Sequence, residues 1–224
     1  MKGCVEMKRL PPVHRRFGIK PEPLTAKAIC DGIVAGMLAD HFLGRSEAAF
    51  ESAIRPYVLA VAHKRGFMAF LEFPLEKQTP GRGAREKIDA VLVYGKQSLA
   101  FEIKTIRQNG TNFSLKKDLP KLRRFPAEIA QDGNQRRTTS WQLVAWASNA
   151  FPKAKSTQEE LNNGFSLLKK EIEKVVPVKK VTVSATEVEN VSRSASLGQF
   201  LLSQGNIGNH NVWCAAICLE SPSC

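Results

Sequence analysis

An α/β fold, a central mixed sheet flanked by helices, is what this sequence predicts, and three observations carry the prediction. Strand-patterned segments at 67–75, 87–94, 97–105 and again late in the chain are interspersed with longer segments of helical periodicity. Two of those strands are joined by a tight turn signal. With 224 residues, 43% of them hydrophobic, the chain is long enough to bury one good core.

Residues 1–24 carry basic and proline residues without periodicity and read as a basic, mobile arm; residues 25–224 then read as one domain with its core at about 46–150. A first helix runs from Thr25 to about Leu43 and closes at Gly44. Ser46 caps a second, which Gly66 ends, and its apolar stripe Phe50, Ile54, Val58 and Val61 packs on the sheet. Pro56 should bend or interrupt it. Phe67 to Leu75 is the first strand, with Glu72 inside its apolar run, and Glu76 to Arg85 is a polar, basic, glycine-containing loop.

Lys87 to Tyr94 and Gln97 to Thr105 form a hairpin through Gly95-Lys96, because Gly at the first turn position suits a type II′ turn. Opposed residue numbers then have a constant sum: Tyr94 faces Gln97, Leu92 faces Leu99 and Asp89 faces Glu102, with paired Cβ atoms about 5 Å apart. Glu102 and Lys104 share that face, while Leu99, Phe101 and Ile103 take the other. Further on, Asp118 caps a helix with Pro120 in its first turn, and Thr139 caps another over Ser140 to Asn149. Thr157-Gln-Glu-Glu160 is a capping box that opens a helix through Leu161, Phe165, Leu168, Ile172 and Val175. Lys179 to Val188 and Val212 to Leu219 read as late strands, and Asn190 to Asn211, rich in Ser, Gly and Asn, as a loop-rich excursion.

The hairpin concentrates chemistry. Asp89 and Glu102 repel each other at the edge of an apolar sheet unless a cation lies between them, and carboxylate oxygens suit Mg2+ or Mn2+. Lys104 beside such an ion can orient a water and stabilise charge on a phosphate under attack. An ordinary surface ion pair of Glu102 with Lys104 is the plain alternative, against which stands the apolar composition of the second strand.

Asp89 followed, after a hairpin, by Glu102-Ile103-Lys104 closely resembles the PD-(D/E)XK nuclease superfamily, with Ile88 standing where the family pattern has Pro. The resemblance implies a restriction-endonuclease-like core, with Asp89, Glu102 and the Ile103 carbonyl as metal ligands and Lys104 assisting the attacking water. It also implies a further acidic residue from an upstream helix, for which Glu51, Glu47 and Glu72 are the candidates, Glu51 being favoured. Gln142-x-x-x-Trp146 is similar to the Gln-x-x-x-Tyr element of RecB-like exonucleases; one helical turn apart, the two can approach a nucleotide, or Trp146 can simply be core.

The net charge of +12 favours an anionic partner. Lys116, Lys117, Lys121, Arg123, Arg124, Arg136 and Arg137 make the region after the hairpin cationic, which fits a nucleic-acid track as well as a solvated face. No run of about 18 apolar residues reads as a membrane span, no signal peptide is evident, and five cysteines suggest reduced thiols, so a cytoplasmic protein is expected. The expected activity is Mg2+- or Mn2+-dependent hydrolysis of DNA, preferred over RNA; symmetric cutting would require a homodimer, for which no interface is predicted. A catalytically silent nucleic-acid-binding protein of the same fold and a basic partner-binding domain are the alternatives.

Overall fold

The computed structural model describes residues 24–45, 51–75, 86–94, 97–107, 110–111, 113–131, 137–175 and 199–219. Helices α1 (Ala26–Phe42) and α2 (Glu51–Lys64) precede strands β1 (Met68–Pro74), β2 (Lys87–Tyr94) and β3 (Gln97–Thr105). Helix α3 (Asp118–Gln131), strand β4 (Arg137–Ala147), a 3-10 turn at Ser148–Ala150, helix α4 (Thr157–Val175) and strands β5 (Gln199–Ile207) and β6 (His210–Leu219) complete the order. The strands form one six-stranded sheet, β1-β2-β3-β4-β6-β5, in which only β3 and β4 run parallel. This is an α/β fold with helices on both faces. No helix among the described residues is long and apolar enough to cross a membrane.

Two apolar layers sandwich the sheet. Ile29, Ile33 and Met37 of α1 with Ile54 and Val58 of α2 cover Leu92, Leu99, Phe101, Ile103 and Leu143 on one face. Leu119, Leu122 and Phe125 of α3 with Phe165, Leu168 and Ile172 of α4 cover Val91, Val144, Trp146 and Trp213 on the other. The parallel pair β3–β4 needs a crossover, and α3 supplies it, so the start of α3 follows closely on the end of β3.

Several expected elements match the structure closely. Thr25 Oγ1 accepts from Ala28 N–H at 3.2 Å to cap α1, and Gly44 adopts φ 71° just past its end. The hairpin register holds from Tyr94↔Gln97 to Ala90↔Phe101, as a two-residue turn requires. The interruption expected at Pro56 is absent: helix α2 runs unbroken through it, its exposed ring costing one intrahelical bond while Ile54 and Val58 remain buried. The cap of α4 is one residue earlier than expected: Ser156 Oγ accepts from Glu159 N–H at 3.2 Å, and Glu159 accepts from Lys155 N–H at 2.7 Å.

Two expectations are corrected. Ser140 to Asn149 is not a helix, since Ser140–Ala147 belongs to strand β4 and Ser148–Ala150 to the 3-10 turn. A strand buried on both faces presents a nearly continuous apolar run, which periodicity alone cannot separate from a buried helix. The excursion assigned to Asn190–Asn211 contains β5, which pairs with β6 through the two-residue turn at Gly208 (φ 56°) and Asn209. The Ser, Gly and Asn content made that segment read as loop, yet Gly205 within it serves a close approach: a Cβ there would meet Val34 and Leu38 of α1 at 2.8 Å. The arm at 1–23, Ser46, Glu47, the loop 76–85, Gly95, Lys96, Arg136 and the strand expected at 179–188 lie outside the described residues.

Gly164 on α4 lies against Trp146, whose indole a Cβ would approach to 2.5 Å. Gly164→Val should therefore lower the urea midpoint, by about 1–3 kcal/mol of overpacking that the better helix propensity only partly offsets. An unchanged midpoint would show that α4 can slide on the sheet.

Candidate active site

Glu102 on β3 sits beside Gln142 on β4, its parallel partner, and both are buried. Gln142 Nε2 donates to the main-chain carbonyls of Glu102 at 3.1 Å and Leu143 at 3.3 Å, which ties the two strands together at this level. Gln142 Oε1 is buried without a hydrogen-bond partner. Trp146 lies in the apolar core four residues along the strand, about 13 Å from Gln142 rather than one helical turn away. The pairing of these two side chains as helix neighbours is thus replaced.

Asp89 stands just beyond the last hydrogen-bonded pair of the hairpin. Its Oδ2 accepts from Ile103 N–H at 2.9 Å, and its Oδ1 takes Arg55 Nη2 of α2 at 2.6 Å. Arg55 Nη1 reaches Glu72 Oε1 at 3.1 Å, and Lys87 Nζ lies 2.8 Å from Glu72 Oε2. Glu72 adopts φ 51°, a left-handed conformation rare for a non-glycine residue, where it would have paired with Asp89 across β1–β2. Burial works against the Arg55 charge, but Asp89 and Glu72 outweigh it and raise its pKa.

Lys104, at the end of β3, lies between carboxylates from both layers: Glu51 Oε1 at 3.3 Å from α2 and Asp118 Oδ2 at 3.4 Å from α3. Burial opposes its charge, yet Asp118 and Glu51 prevail and its pKa is raised. Lys121 Nζ lies 2.7 Å from Glu102 Oε1, 3.4 Å from Asp118 Oδ1 and 3.1 Å from the Lys87 carbonyl oxygen. Burial, followed by repulsion from Asp89, pushes the Glu102 carboxyl up to about 8 against the pull of Lys121.

The structure thus pairs Lys104 with Glu51 and Asp118, Glu102 with Lys121, and Asp89 with Arg55 and the Ile103 main chain, near enough to Glu102 for its charge to act there. Glu72 serves Arg55 instead. Of the expected basic track, Lys116, Lys117 and Arg124 are exposed and Arg123 is partly so, whereas Lys121 turns inward onto Glu102. The expectation missed Arg55 and the inward role of Asp118. Arg55 follows Glu51 by four residues and Lys121 follows Asp118 by three, spacings that share a helix face, so the signal was present once one member of each pair was chosen.

The donor set is all oxygen on the acidic side and ammonium on the other. Among the described residues no three His, Cys, Asp or Glu side chains converge on one centre. Two carboxylates completed by water and substrate oxygens is a coordination that suits Mg2+ better than a closed protein cage. Burial is the first cause of the raised Glu102 pKa and the neighbouring Asp89 charge the second, and a cation held against Glu102 would oppose both. Family models, curated proteins and solved structures give no match to this chain.

Proposed function

We propose that this chain is a metal-dependent nuclease of the PD-(D/E)XK class, with a restriction-endonuclease-like core, that hydrolyses phosphodiester bonds of DNA. The observation that carries the reading is the seating of Lys104 at the end of β3 between Glu51 and Asp118 of two helices, with Glu102 two residues earlier on the same strand and the Asp89 charge acting on it. Asp89 and Glu102 would hold Mg2+ or Mn2+, which supplies Lewis-acid activation of a water and of the phosphate oxygens. Lys104, an ammonium fixed between Glu51 and Asp118, has protons to give and no lone pair to accept one. It therefore orients the attacking water and stabilises negative charge on the phosphate, while proton acceptance falls to a carboxylate. The exposed Lys116 and Lys117 lie just before α3 and Arg124 midway along it, on the helix that carries Asp118 and Lys121, where a phosphate backbone would meet them.

A second reading, a silent nucleic-acid-binding protein, is favoured by one observation: Asp89 and Glu102 already have cationic partners in Arg55 and Lys121. Linear and circular plasmid DNA incubated with the protein and with Lys104→Ala, each in Mg2+, Mn2+ or EDTA, separates the two. Metal-dependent cleavage that falls by roughly 10²–10³-fold in the variant is the expected result. Retained binding with no cleavage by either protein would move the assignment to the silent module.

A further inference from the structure

Lys121 is seated in a cradle of oxygens drawn from three elements. Glu102 Oε1 from β3 lies at 2.7 Å, the Lys87 carbonyl from β2 at 3.1 Å and Asp118 Oδ1 from its own helix at 3.4 Å. The side chain is 16% exposed and that of Glu102 only 2%, so this is an enclosed contact and not a surface ion pair. Arg55 on Asp89 is different in kind, because it is shared with the exposed Glu72.

A single ammonium brings one positive charge to a place where the carboxylates of Glu102 and Asp118 both face it. A divalent ion brings two charges into a smaller volume and takes the same oxygen donors. The two cations cannot both sit against Glu102 Oε1. We propose that Lys121 is a tethered counter-cation of Glu102 that a divalent metal ion displaces, so that helix α3 sets the metal affinity of the site. This rests on the nuclease reading above. The four-carbon stem of a lysine allows the ammonium to leave without moving the helix, and Asp118 Oδ1 remains within reach as its partner.

Mn2+ binding, followed by the electron paramagnetic resonance of the free ion at fixed ionic strength, tests the proposal on the wild type, Lys121→Met and Arg124→Met. Lys121→Met should bind Mn2+ at least about tenfold more tightly, as expected when a direct competitor for one ligand is removed. Arg124→Met, which loses the same charge one turn further along α3, should change affinity far less. Binding by the wild type that Lys121→Met leaves equal or weakens overturns the displacement while the nuclease reading stands. Absence of Mn2+ binding by both wild type and Lys121→Met overturns the two together.

Because Lys121→Met leaves Glu102 buried without its cation and can unfold, the wild type provides a second readout. Acetylation of lysine amines by an N-hydroxysuccinimide ester, mapped by peptide mass spectrometry, should rise several-fold at Lys121 on saturation with Mn2+ and stay constant at the exposed Lys169 of α4. Unchanged or reduced labelling of Lys121 overturns the proposal.

Discussion

Glu102→Gln is expected to remove metal-dependent cleavage and, above neutral pH, to stabilise the protein. Under the proposed function, loss of one of the two carboxylates that would hold the metal should lower the cleavage rate by roughly 10²–10³-fold or more. The stability effect has the opposite sign. Burial and the Asp89 charge raise the Glu102 pKa from 4.5 to about 8 in the folded chain. Between those values the folded state keeps a proton that the unfolded state has released, so stability falls as pH rises through the window. The contribution is fully present below pH 4.5 and lost above about 8. Glutamine does not titrate and has nearly the same shape as the protonated acid. Urea midpoints in EDTA should therefore coincide for wild type and variant near pH 5 and separate by pH 9, with a gap on the order of a few kcal/mol. Parallel curves across the window would mean that burial and Asp89 do not hold the proton on Glu102.

Trp146→Ala should cost about 3–5 kcal/mol of stability, among the largest effects of any single truncation here. The indole is fully buried, stacks on Trp213 with ring centroids 5.9 Å apart, and meets Phe165 edge-on at 6.1 Å. Removing it opens a cavity between β4, β6 and α4. A urea midpoint close to that of the wild type would place Trp146 outside the core and restore the reading in which it faces a nucleotide.

The contrast between these two residues explains what was legible beforehand. Glu102 and Asp89 belong to one hairpin whose two-residue turn fixes the register locally up to Ala90↔Phe101, one position short of them, so their nearness was legible without knowledge of the rest of the fold. Lys104 follows by alternation along the strand. Trp146 belongs to a central strand buried on both faces, by α3 and α4 on one side and α1 on the other, and that double burial erases the alternation that marks a strand. Gly205 misled for a related reason: its need is set by Val34 and Leu38 of α1, not by a turn. Arg55, Asp118 and Lys121 enter the site through helix docking. Their types and helical spacing are visible in the chain, but the partner across the sheet is not.

Glu72 gives the arrangement a further meaning. Glycine would hold φ 51° without a steric cost, whereas a glutamate there carries strain of order 1–2 kcal/mol. What the glutamate adds is a carboxylate that braces Arg55 and Lys87 from outside the sheet. Asp89 is thereby oriented by a guanidinium that is itself oriented. The bracing of Asp89 thus begins at an exposed residue two contacts away, and glycine at that position would relieve the backbone while leaving Arg55 and Lys87 without their shared carboxylate.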